Sequence, residues 1–70
     1  MAGQETTLAS RVRAIRKGLG ITQEDLARLA GLTASTVAKI EQGTMANPRL
    51  DTLAGLAKAL GAKVGDLLGE

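Results

Sequence analysis

Seventy residues bound the chain to one domain with a small core, near the size at which folding alone becomes marginal. With no Cys and no His, a disulfide framework, an ordinary zinc site and histidine general-base chemistry are excluded, and no cofactor or metal is expected. The absence of Phe, Tyr and Trp argues against modules that stack unpaired bases on aromatic rings, while leaving duplex reading by a helix open.

The net charge of +2 is weak evidence of any partner, but its distribution is uneven. Residues 8–49 carry seven basic residues (Arg11, Arg13, Arg16, Lys17, Arg28, Lys39, Arg49) against the acidic Glu24, Asp25 and Glu41, a net +4, and the rest of the chain carries −2. A basic stretch is more often a solvated face than a binding surface, so the charge acquires meaning only from the motif within it. No run approaches the roughly 20 apolar residues of a membrane span, and MAGQETT lacks the basic-then-apolar pattern of a secretory signal. A cytoplasmic protein without a membrane partner is expected.

In chain order, residues 1–7 read as a disordered lead-in and residues 8–70 as the domain. A first helix is expected from Leu8 to Leu19, with Leu8, Val12, Ile15 and Leu19 on one face. Residues 23–42, QEDLARLAGLTASTVAKIEQ, then hold two short helical patterns joined across Gly31, with the size and polarity order of a helix-turn-helix. Ala27 is small where two steeply crossed helices approach, and Gly31 supplies the positive φ that closes the first of them. Thr22 and Thr33 are the caps, with Asp25 as a short capping-box acid and Ile21 and Leu32 as staples onto Leu26 and Val37.

The two helices are therefore expected over 23–30 and 34–42, the second stopped by Gly43. GTMANP reads as a loop, because Pro48 drives Asn47 out of helical geometry. A fourth helix is expected over 50–60, with Leu50, Leu53, Leu56, Ala57 and Leu60 facing inward, and a short fifth over 64–68. The fold class is thus all-α, a compact bundle of five short helices, with no strand pattern. No nucleophile–base pair or metal constellation is present, so the chain does not read as an enzyme.

Three stretches, RVRAIRKGLGITQEDLA, GLTASTVAKIEQG and NPRLDTLAGLAKALG, resemble the phage repressor and Cro-like helix-turn-helix family, also called xenobiotic-response-element-like, across about residues 8–68. The resemblance implies a lambda-repressor-like DNA-binding domain, bacterial or phage-encoded, with helix 34–42 in the major groove of double-stranded DNA. It implies base contacts from Ala34, Ser35, Thr36 and Lys39, and phosphate contacts from Gln23, Thr33, Asn47 and Arg49, with Arg11 or Arg13 supplementing them. Gln23 and Thr33 also read as plain helix-start residues, and Lys39 as a solvated lysine.

Two departures from the family pattern point to modest affinity and few bidentate base contacts: Thr44, Met45 and Ala46 put no basic residue in the loop, and Ala34 and Ala38 are apolar in the reading helix. Arg16 and Glu41 match the positions of an ion pair linking the first helix to the reading helix. The function implied is a transcriptional regulator, most simply a homodimeric repressor on a pseudo-palindromic operator, pairing through Leu60, Val64 and Leu68. An ordinary core role competes for those three residues. The alternative from another class is an antitoxin or adaptor acting through a protein partner, a toxin or co-regulator.

Overall fold

The computed structural model describes residues 7–45 and 47–69, so most of the expected lead-in, and Ala46 of the loop, lie outside the described residues. Five helices follow one another: α1 Leu8–Leu19, α2 Gln23–Ala30, α3 Ala34–Gln42, α4 Leu50–Leu60 and α5 Val64–Leu68. Among the described residues there is no strand, and no helix is long and apolar enough to cross a membrane.

Side-chain caps explain where α1, α2 and α3 begin. The Thr22 hydroxyl accepts the Asp25 N–H at 3.0 Å, and the Asp25 carboxylate accepts the Thr22 N–H at 3.1 Å, closing a reciprocal box. Thr33 caps α3 by accepting the Thr36 N–H at 3.1 Å. Thr7, expected in the lead-in, instead caps α1: its hydroxyl accepts the Ser10 N–H at 3.2 Å and its own N–H donates to the Ser10 hydroxyl at 2.9 Å. The ordered domain thus starts one residue earlier than the hydrophobic pattern indicated, because two hydroxyls rather than an acid make the box.

Between α2 and α3 the chain turns at Gly31, φ 73°, where the Leu32 N–H reaches back to the Ala27 carbonyl at 2.8 Å. That bond turns Leu32 onto the core. α2 packs on both α3 and α4, while α1 lies across α3, α4 and α5. The shared core comprises Val12, Leu26, Ala27, Val37, Ile40, Leu56, Ala57, Leu60 and Leu67, with Ile15, Ile21, Leu32 and Val64 half-buried against it.

Two expectations about facing and one about pairing need correction. Leu19 is 53% exposed, because the chain reverses at the left-handed Gly20 and Ile21 turns back onto the core in its place. Leu50 is 72% exposed: helical side chains lean toward the N-terminus, and at the first position of α4 that direction leads over the exposed residues Asn47 and Arg49. Leu60, expected in a dimer interface, is 5% exposed and belongs to the core. Of its proposed companions Val64 is half-buried against the core, and Leu68 alone is open, at 46%.

One close approach gave no signal in the periodicity. A methyl group on Gly55 would stand 2.8 Å from the Ala30 carbonyl oxygen, so α4 crosses the end of α2 at backbone distance.

Candidate nucleic-acid interface

The start of α3 is held from behind and open in front. Val37 and Ile40 are buried, whereas Ser35 and Lys39 are exposed and Thr36 is half-exposed. Ala34 is half-buried and packed against the core, so only part of its methyl group reaches the outer face. Thr33 both accepts the Thr36 N–H and donates its hydroxyl proton to the Thr36 Oγ1 at 3.0 Å, which commits the cap hydroxyl and orients Thr36.

Glu41 anchors the far end of the same helix. Its side chain is only 2% exposed and meets Arg16, 12% exposed, in a two-point contact: Arg16 Nε to Oε2 at 2.6 Å and Arg16 Nη2 to Oε1 at 3.0 Å. Arg16 Nη1 also donates to the Ile21 carbonyl at 2.9 Å, so one guanidinium ties α1, the α1–α2 turn and α3 together. Arg13 Nη2 donates to the Glu41 backbone carbonyl at 2.9 Å, placing a second cation at the C-terminal end of α3.

Burial pushes the Glu41 carboxyl up. The hydrogen bonds from Arg16 and Gln23 and the Arg16 and Arg13 charges together outweigh it, leaving the group below its ordinary value. Arg16 moves up, chiefly through its hydrogen bond to Glu41. Asp25 is also held down, first by the Thr22 N–H and then by Arg28, whose Nη2 lies 3.0 Å from Oδ1.

The expected phosphate contacts fall into distinct places. Asn47 and Arg49 are exposed in the loop before α4, Arg49 making only a loose 3.7 Å approach to Asp51. Arg13 is exposed apart from its bond to the end of α3. Arg11 is placed elsewhere, its Nη2 2.9 Å from where a Gly69 side chain would begin, at the C-terminal end of α5. Gln23, at the first position of α2, is half-buried and donates its side-chain amide to Glu41 Oε1 at 3.1 Å.

Among the links that escaped sequence reasoning are the Gln23–Glu41 bond and the Thr44 hydroxyl donating to the Lys39 carbonyl at 3.1 Å. The first joins residues 18 apart, beyond any helical repeat. The second is a local wrap of the chain around the α3 terminus, which a polar residue just after Gly43 could have signalled.

Comparison with known proteins places this geometry. The family model described as Helix-turn-helix matches residues 12–67. The immunity repressor protein of Bacillus phage phi105 is 44% identical over 64 residues, 91% of this chain and 44% of that protein. The putative antitoxin HigA3 of Mycobacterium tuberculosis is 39% identical over 59 residues, 83% of this chain and 54% of that one. The chain thus spans about half the length of these two relatives.

Among solved structures, the P22 c2 repressor in complex with a synthetic operator superposes with a TM-score of 0.86 at 30% identity, covering 91% of this chain and 96% of that one. The restriction-modification controller protein C.AhdI of Aeromonas hydrophila gives 0.84 at 35% identity, covering 90% and 94%. With the five helices, the capped turn and the matched stretch in agreement, the chain belongs to the helix-turn-helix family, and it is similar to repressors of the phage type within it.

Proposed function

We propose that the protein is a sequence-specific double-stranded DNA-binding regulator, most simply a repressor, that reads bases in the major groove with the first half of α3. The observation that carries this reading is the pairing of an exposed Ser35–Thr36–Lys39 edge with a helix locked from behind by the buried Glu41–Arg16 pair. A base-reading side chain is effective only on a support that does not yield. Lys39 suits guanine O6 and N7, Ser35 and Thr36 accept or donate, and the exposed edge of the Ala34 methyl suits a thymine methyl.

Phosphates on either side fall to Gln23 at the start of α2, to the backbone N–H groups at the start of α3 beside Thr33, to Asn47 and Arg49 in the loop, and to Arg13. Arg11 lies toward Gly69, at the C-terminal end of α5. With so few cationic contacts a single domain binds weakly, and a homodimer on an inverted repeat is the arrangement that restores affinity. The surface proposed for pairing is the α5 end, where Leu68 is open.

The relatives support the class. One is a phage immunity repressor, and one structural neighbour is a repressor crystallised with its synthetic operator. The similarity to an antitoxin favours a second reading, in which a protein partner occupies the α5 end.

Selection of bound sequences from a random duplex pool tests the proposal. An inverted repeat with half-sites about one helical turn apart is expected. Recovery of no sequence above background would overturn it and favour the protein-partner reading.

A further inference from the structure

We propose that Glu41 is a positioning residue for a phosphate contact made by Gln23, so that the base-reading helix and the backbone clamp at the start of α2 act as one coupled unit. This inference rests on the duplex-binding reading above and adds to it a specific link between two sites.

The argument begins with the chemistry of the carboxylate. Glu41 is buried and ionised beside Arg16, and an ionised carboxylate can only accept hydrogen bonds. Its Oε1 receives both Arg16 Nη2 at 3.0 Å and Gln23 Nε2 at 3.1 Å. The reverse orientation of the Gln23 amide would set its carbonyl oxygen against that carboxylate, so Glu41 selects a single flip of the amide. One N–H of Nε2 is held inward and the second is left directed away from Glu41.

Glu41 is the residue of the reading helix whose side chain accepts the Gln23 amide. The first residue of α3 is Ala34, which has no polar atom. Gln23 is also the first residue of α2, beside backbone N–H groups that have no partner within their helix. A phosphate there would meet a donor already fixed in place. Without Glu41 the same side chain must be ordered on binding, and the loss is roughly three- to tenfold in affinity per immobilised side chain.

A purely structural role for Glu41 makes a different prediction. If it served only to keep α3 in register, its removal would weaken DNA binding whether or not Gln23 were present. The test is a double-mutant cycle on duplex affinity with wild type, Gln23→Ala, Glu41→Gln and the double variant, using the duplex recovered from a random pool. The expected result is that Gln23→Ala weakens binding about three- to tenfold, and that Glu41→Gln weakens binding in the wild-type background by clearly more than in Gln23→Ala. Additive losses would overturn the positioning role and leave duplex binding intact. A wild-type protein that binds no duplex would overturn the regulator reading and this inference with it.

Because Glu41→Gln removes a buried charge and the variant is prone to unfold, a measurement on the unaltered protein runs alongside. In nitrogen-edited spectra the Gln23 side-chain amide proton held by Glu41 should lie downfield of the corresponding proton of the exposed Gln42, and the Gln23 pair should shift when the duplex is added. A Gln23 pair that coincides with Gln42, or that ignores the duplex, would overturn the inference without any variant.

Discussion

Glu41 is the residue on which most of the molecule turns. It is a buried anion held by Arg16, Gln23 and the nearby Arg13, and removing one member of such a pair costs about 3–5 kcal/mol because the other charge is left uncompensated. Glu41→Ala or Arg16→Ala should therefore lose most of the stability of a 70-residue domain, readable as a collapse of the urea midpoint. A change within error would reduce the pair to a surface contact worth roughly 0–1 kcal/mol. The same residue predicts a pH dependence. Its folded value lies below its unfolded value, so its contribution is complete above about pH 4.3 and is lost as the pH falls through the folded value. Wild type should lose stability on acidification below about pH 4. Glu41→Gln should be weaker at neutral pH and flatter across the acid range, as followed by circular dichroism at a series of pH values.

Elements were legible where local chemistry sets them. The expected ranges of all five helices coincide with those observed: Thr22 and Thr33 mark two starts, Gly31, Gly43 and Gly61 mark three ends, and apolar spacing carries the remaining bounds. Faces were less legible, because a 3.6-residue repeat says which residues share a side and not what covers it. Leu19 and Leu50 match the repeat at helix ends where nothing lies above them. Gly55 is the opposite case, a residue with no signal in the repeat whose missing side chain lets α4 touch the Ala30 carbonyl. Within an ordinary helix, alanine in place of glycine gains about 1 kcal/mol. Here the added methyl meets a backbone oxygen at 2.8 Å that cannot rotate aside, so Gly55→Ala should destabilise by about 1–2 kcal/mol. A melting temperature that rises instead would show that α2 and α4 can separate freely. At the start of α3, Thr33→Ala should cost about 1 kcal/mol through loss of the cap, and should weaken duplex binding by releasing Thr36.

The whole molecule combines a tightly held interior with two open regions, the reading edge of α3 and the α5 end. The interface role given to Leu60 from sequence failed because an apolar residue near a helix end looks the same whether it meets its own core or a second copy. The distinction predicts separable variants. Leu60→Glu should unfold the domain, whereas Leu68→Glu should leave the melting temperature nearly unchanged and shift sedimentation toward monomer, and a Leu68→Glu protein that still pairs would place the dimer surface elsewhere. The site itself was partly legible. Its base-facing residues sit on a local motif, but the bonds that Glu41 receives from Gln23 and Arg13 join residues distant in sequence, where no helical repeat signals them. The most direct test of base reading is titration of the selected duplex, and of its single-base-pair variants, with wild type and Lys39→Ala at two salt concentrations. Loss of about 1–3 kcal/mol of discrimination at one base pair, with the other positions unaffected, is the predicted result. A uniform loss over all sequences, with the salt slope reduced by about one, would make Lys39 a phosphate contact and contradict base reading by α3.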